Sequence, residues 1–225
     1  MFGQNPKRSP TFNDGTNLAI KHIFKTIQGE GPLVGTPAVF IRLGGCNLAC
    51  HFCDTDFEDF NILSLKEIIE KVLTLSHNLN EQRVINLVVI TGGEPFRQAI
   101  ELLCDSLVNL KFAVQIETNG TLYRNIAQQV QIVCSPKVAK NRYLPIREDL
   151  IIRLQAMKFL VAKNILAYSY IPELGQSKYN IPVFVQPMDQ NNHIINKENE
   201  KLAVELALNY GYRLSLQTHK ILGIE

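Results

Sequence analysis

Short apolar runs, each closed by glycine, proline or small polar residues, constrain this chain more than any other feature. AVFIRL at 38–43 is followed by GGC, VINLVVI at 84–90 by TGGEP, and FAVQIE at 112–117 overlaps ETNG. QIVCSP at 131–136 runs into SPK, and IPVFVQP at 181–187 into QPMD. Runs of this length bounded by turn formers read as buried strands. Residues 17–27, 157–162 and 212–218 suggest three more strands. Apolar residues at helical spacing fall between them, at 64–79, 97–109, 147–156 and 193–210, and Ser64 with Glu67 makes a capping box. Strands alternating with helices predict an α/β fold with a mainly parallel, curved or doubly wound sheet. In such folds chemistry collects at the C-terminal ends of the strands, where all five polar segments fall. With 225 residues, the chain suits a single domain over 17–225, preceded by a polar arm at 1–16 with no periodicity.

Charge narrows the function classes. Lys and Arg number 23 against 21 Asp and Glu, a net +2, with no basic field to mark a nucleic-acid binder. No apolar run approaches the ~20 residues that span a bilayer. The first residues, MFGQNPKRSPTFNDGTN, lack the apolar core of a signal peptide. The expectation is a cytoplasmic protein with no nucleic-acid or membrane partner.

Three of the five cysteines, Cys46, Cys50 and Cys53, lie within eight residues, which is not a disulfide framework. Several chemistries could use them. A structural zinc site wants four ligands, and only His51 is close in sequence, with Cys104 or Cys134 as distant candidates. CHFC at 50–53 could be a redox pair, although no thioredoxin-like context surrounds it. Three unrelated buried thiols would be the plainest explanation, but cysteine is too rare for such clustering. The remaining option is a four-iron cluster on three thiolates, which leaves one iron open to a small molecule. Cys104 and Cys134, in a helix and a strand, read as small hydrophobes.

The Cys46-x3-Cys50-x2-Cys53 loop after one strand and GGEP at 92–95 after the next resemble the radical S-adenosylmethionine enzymes. The likeness narrows with FKTIQGEGPLVGTPAVFIRLGGCNLACHFCDTDFE at 24–58 and RLSLQTHKILGIE at 213–225, with ETNG, SPK and QPMD in order between them. These segments resemble the 7-carboxy-7-deazaguanine synthases. Departures from a compact version lie in the first 16 residues and at 163–180. The resemblance implies an abbreviated, incomplete (β/α) barrel, usually a homodimer. It implies a lyase that contracts 6-carboxy-5,6,7,8-tetrahydropterin to 7-carboxy-7-deazaguanine with release of ammonia, towards queuosine and other 7-deazapurines. A flavodoxin or ferredoxin would supply electrons.

The implied roles are specific. Cys46, Cys50 and Cys53 bind a [4Fe–4S] cluster, whose open iron takes the amino and carboxylate groups of S-adenosylmethionine. One-electron cleavage of that cofactor gives a radical that abstracts hydrogen from C6 of the substrate, so the hard chemistry belongs to the cofactor and no catalytic side chain is assigned. Cofactor contacts are Phe52, Cys53, Asp54, Gly93, Glu94, Glu117, Ser135, Pro136, Lys137, Gln186, Pro187, Met188 and Asp189. Thr55 holds a Mg²⁺, an ion that favours oxygen ligands. Substrate contacts are Ile27, Gln28, Gly29, Glu30, Arg42, Thr91, His219 and the terminal carboxylate of Glu225. Arg42 can grip a carboxylate with two hydrogen bonds. Read without the family, CDTD is a capped turn, Glu117 a strand-end acid, and Arg42 and His219 structural groups. A short activase that places a glycyl radical on a protein would share the Cys loop and GGEP, but not QGEG or QTHK. A non-enzymatic zinc or iron–sulfur module would cleave no S-adenosylmethionine.

Overall fold

The computed structural model describes residues 5–53 and 55–224. They form two compact units, each assembled from separated stretches of chain. The first takes the chain to Gln28, then 35–118 and 124–131; the second takes 29–34, 119–123 and the chain from Ile132 onward.

In the first unit, β1 (Asn17–Ile27), β2 (Pro37–Leu43), β3 (Asn61–Ser64), α1 (Leu65–Ser76), β4 (Leu87–Gly92), α2 (Glu101–Asn109) and β5 (Ala113–Thr118) follow in order. The strands line up β3-β1-β2-β4-β5. β1 runs antiparallel to β2 and β3, whereas β2–β4 and β4–β5 are parallel. Val88, Val89 and Ile90 are fully buried in succession, as expected of a strand covered on both faces. Helix α1 closes on the foreseen capping box: Ser64 Oγ accepts from the Glu67 N–H, and the Glu67 carboxylate accepts from the Ser64 N–H at 2.8 Å.

The second unit contains β6 (Gln131–Cys134), β7 (Val138–Ala139), β8 (Arg142–Tyr143), α3 (Glu148–Ile151), β9 (Leu154–Val161), β10 (Val183–Pro187), α4 (His193–Tyr210), β11 (Arg213–Leu214) and α5 (Thr218–Leu222). The strands β6-β9-β10-β11 are parallel throughout, and β7–β8 is a separate hairpin. Helix α4 spans the residues its pattern predicts; Asn192 Oδ1 accepts from the N–H groups of Ile194 and Ile195, and Gly211 ends the helix in left-handed conformation. Asn199 lies buried on α4, where its amide donates to the Met188 carbonyl beyond β10.

Three expected elements differ. The helix over 97–109 starts only at Glu101, because Gln98 is extended and its buried amide bonds both the N–H and the carbonyl of Ala19. The helix over 147–156 is one turn, 148–151, and the strand begins at Leu154. There IIRLQAMKFL is apolar enough for either state, and pairing of Leu154 with Ile132 decides it. The strand over 212–218 pairs only at Arg213 and Leu214, then turns at Gln217 into α5. Cys104 and Cys134 are fully buried in a helix and a strand, as expected. No helix among the described residues is long and apolar enough to cross a membrane.

Candidate active site

The Cys loop follows β2 and is set against the end of β4 by backbone contacts. The Gly93 N–H donates to the Leu43 carbonyl and the Glu94 N–H to the Gly45 carbonyl, both at 3.2 Å. A Cβ on Gly93 would stand 1.9 Å from the Gly45 oxygen, so only glycine permits this approach. The two motifs noticed separately in the sequence are therefore one piece of structure.

Cys46 is buried, Cys50 and Cys53 are half-buried, and none is in a disulfide. The Cys46 sulfur accepts from the Leu48 N–H at 3.4 Å. Burial pushes its thiol up to about 12, with the neighbouring Glu94, Cys50 and Cys53 adding to the rise. Such a sulfur ionises only against a cation, which metal ligation supplies. Among the described residues no three His, Cys, Asp or Glu side chains converge on one point as a single metal ion requires. A four-iron cluster takes its thiolates at separate irons, and three cysteines on one loop fit that demand.

The N-terminal arm, which the sequence offered no reason to place, packs along this loop. The Arg8 N–H donates to the Cys46 carbonyl at 2.7 Å, Asn5 Nδ2 to the Thr55 carbonyl at 2.8 Å, and the Phe57 N–H to Asn5 Oδ1 at 2.9 Å. Arg8 also pairs with Glu58, and the Thr11 N–H reaches the Arg97 carbonyl at 2.8 Å.

Polar side chains share one face of the first unit's sheet. Arg42 on β2 is the register partner of Thr91 on β4; Phe40 pairs Val89, which pairs Gln115 on β5. Alternation then sets Glu117, two residues beyond Gln115, on the face of Arg42 and Thr91. The Arg42 guanidinium lies 5.0 Å over the Phe24 ring. Glu117 Oε1 accepts from Gln28 Nε2 at 2.9 Å and from Gln115 Nε2 at 3.3 Å. Gln115 is fully buried, and its carbonyl oxygen has no hydrogen-bond partner. Glu94, also fully buried, accepts from Thr118 Oγ1 at 2.7 Å and from the Phe96 N–H at 3.1 Å. Ile27 ends β1 just before Gln28, and Phe52 is half-buried.

A second cluster belongs to the other unit. The Glu30 carboxylate pairs with Lys158 and accepts from Gln217 Nε2 at 2.9 Å. The Gly29 carbonyl accepts from Thr218 N–H and Oγ1, and a Cβ on Gly29 would stand 2.2 Å from His219 Nδ1. The Gly31 N–H donates to Ser215 Oγ, which donates to Gln186 Oε1. Gly29, Glu30 and His219 are thus brought together, with Gln186 linked through Ser215. Beyond β6, Lys137 Nζ donates to the Ser135 carbonyl and hydroxyl, with buried Pro136 between them. Beyond Pro187 and buried Met188, Asp189 pairs with Lys220 at 2.9 Å. Burial works to raise the Asp189 carboxyl, but hydrogen bonds from Asn191, Lys220 and Asn196 bring it down to about 2. Asp54 and Glu225 lie outside the described residues.

Sequence reasoning missed Gln115, Lys158, Ser215 and Gln217. A charged residue inside MKFLVA was a usable signal for Lys158, because lysine is almost never buried without a partner. Nothing local marked Gln115.

Residues 40–147 match the radical SAM superfamily. The whole chain aligns, at 63% identity, with 96% of the 7-carboxy-7-deazaguanine synthase of Rickettsia prowazekii. It aligns at 39% with the full length of the protein of the same name from Rhodospirillum rubrum. The crystal structure of QueE from Escherichia coli shares the fold, with a TM-score of 0.70 at 23% identity over 89% of this chain and 93% of that one. Sequence likeness along the whole length, a shared fold, and a cysteine loop joined to GGEP lead to one conclusion: the chain belongs to the 7-carboxy-7-deazaguanine synthases of the radical SAM superfamily.

Proposed function

We propose that this chain contracts 6-carboxy-5,6,7,8-tetrahydropterin to 7-carboxy-7-deazaguanine with loss of ammonia. The observation that carries the reading is the polar face of the first unit's sheet, where Arg42, Thr91, Gln115 and Glu117 interrupt an apolar interior. A pterin carboxylate asks for a forked cation, and its ring edges ask for donors and acceptors held still. Arg42 supplies the fork; Gln28, Thr91 and Glu117 supply the rest, together with Ile27, Gly29, Glu30 and His219.

Cys46, Cys50 and Cys53 hold the [4Fe–4S] cluster in this reading. Cluster and S-adenosylmethionine together supply one-electron cleavage of a carbon–sulfur bond. Phe52, Gly93, Glu94, Glu117, Ser135–Lys137 and Gln186–Asp189 bind S-adenosylmethionine, with Lys137 beside Ser135 suited to its anionic end. Thr55 contributes an oxygen to Mg²⁺. The chain works in the cytoplasm as a homodimer, with residues 17–225 as one catalytic domain, and takes electrons from a flavodoxin or ferredoxin.

The test is an anaerobic reaction followed by mass spectrometry, using reduced, cluster-loaded protein with S-adenosylmethionine, Mg²⁺ and 6-carboxytetrahydropterin. The expected product is 7-carboxy-7-deazaguanine. Appearance of 5′-deoxyadenosine alone would keep the radical chemistry and discard the substrate.

A further inference from the structure

Lys158 occupies the middle of an apolar parallel strand, LQAMKFLV, and is 4% exposed. Nothing in β9 itself asks for a charge there: its register partner on β10 is Phe184, and its neighbours Met157 and Phe159 are fully buried. Burying an ion pair is commonly no better for stability than burying apolar groups of the same size. The charge therefore points to a task other than holding the strand.

Its ammonium meets the Glu30 carboxylate. Glu30 precedes the 3₁₀ turn Gly31–Leu33 with extended backbone, and its side chain does not cap that turn. The loop is fixed on both sides of it, at Gly29 by Thr218 and at Gly31 by Ser215. The groups around the carboxylate are Lys158 from β9, Gln217 at the head of α5 and His219 within α5. Burial works to raise the Glu30 carboxyl. The charge and hydrogen bond of Lys158, the Gln217 amide and the charge of His219 outweigh it and bring the group to about 2. At neutral pH Glu30 is then purely an acceptor. Without Lys158 burial would dominate, and the neutral acid would put a hydroxyl where an acceptor is needed.

An acceptor-only carboxylate on a fixed loop suits a ligand with two adjacent N–H donors, as in a cyclic amidine or guanidine. We propose that Lys158 is a positioning residue that keeps Glu30 a carboxylate and aims it, so that the chain selects heterocycles whose ring N–H and exocyclic amine lie side by side. This rests on the reading of Glu30 as a substrate residue. Lys158 itself does not touch the substrate.

The test uses full-length, cluster-loaded protein and two unreactive probes: 6-carboxypterin and the same ring lacking its 2-amino group. Binding is measured by anaerobic calorimetry from pH 6 to 9. The wild type is expected to prefer 6-carboxypterin at least ten-fold, with no pH dependence from Glu30. Lys158→Met should lose at least ten-fold for 6-carboxypterin at pH 7 and change little for the truncated ring. Its loss should shrink as pH rises and Glu30 ionises, and Lys158→Arg should restore most of the affinity. Equal weakening of both probes at every pH would make Lys158 structural and overturn the proposal, as would wild-type affinity in Lys158→Met. Should that variant not fold, Glu30→Gln and the double variant Glu30→Gln/Lys158→Met, which buries no unpaired charge, decide. Equal affinity of those two is expected, and a further loss in the double variant would overturn the proposal. Failure of the wild type to bind 6-carboxypterin would instead remove the substrate reading on which the proposal stands.

Discussion

Backbone contact, more than side-chain contact, joins the two motifs that mark this family. Gly93→Ala forces a methyl group against the Gly45 carbonyl and the Cys46 N–H. Overpacking of that kind costs about 1–3 kcal/mol, and the position of the clash argues for the upper end. Urea unfolding of the metal-free protein should show it, together with lower iron content after reconstitution. Glu30 gives a second prediction. Its carboxyl is depressed to about 2 in the folded chain, below the ~4.3 of an unfolded glutamate. The stability it contributes is therefore present above the unfolded value and is lost as pH falls towards 2. Thermal melts between pH 3 and 6 should show the wild type's margin over Glu30→Gln narrowing as pH drops. An unchanging margin would mean that folding leaves the Glu30 carboxyl at its unfolded value, and a widening one that Glu30 is neutral in the folded state.

Among the elements, the arm and the first helix carry predictions. Residues 5–11 bond to both flanks of the cysteine loop, at Cys46 on one side and at Thr55 and Phe57 on the other. Asn5→Ala, which removes the bonds to Thr55 and Phe57, combined with Arg8→Ala, which removes the pair with Glu58, should speed bleaching of the cluster absorbance in air several-fold, with little change in helix content by circular dichroism. Bleaching at the wild-type rate would make the arm incidental to the cluster. Ser64→Ala removes one half of a reciprocal cap and should cost about 1 kcal/mol in urea unfolding. That helix start was legible in advance because a capping box is purely local. The short helix at 148–151 was not, because strand β9 is chosen by its neighbours β6 and β10. The arm was illegible for a related reason: Asn5 and Arg8 are ordinary polar residues until the Thr55 and Cys46 carbonyls, far along the chain, are in place.

For the whole molecule, the sequence made the parallel α/β order and the chemistry at strand ends readable, since both depend on runs of a few residues. It also pointed to candidate site residues wherever a motif is contiguous, as at Gln28–Gly29–Glu30 or Ser135–Lys137. What it hid were the partners that only assembly supplies, Gln115 for Glu117 and Lys158 for Glu30. The second unit depends on a six-residue stretch, 29–34, taken from inside the first unit's sequence. A fragment of residues 132–225 would bury Lys158 with no carboxylate and leave Ser215 without the Gly31 N–H. We expect it to be unfolded by circular dichroism, and to gain structure only when a peptide of residues 24–36 is added. A cooperatively folded fragment would show that the pair is not needed for that unit.

That borrowed loop also orders events in time. Lys158 is 128 residues beyond Glu30, and Gln217 is 187 beyond it. At ~5–20 residues per second, the ribosome makes Lys158 roughly 6 to 26 s after Glu30. The bonds by which Asn5, Arg8, Gly93 and Glu94 hold the cysteine loop and its flanks, by contrast, lie within the first 97 residues. During synthesis the cysteine loop can therefore take shape while the acid at Glu30 still waits, hydrated, for its counter-ion.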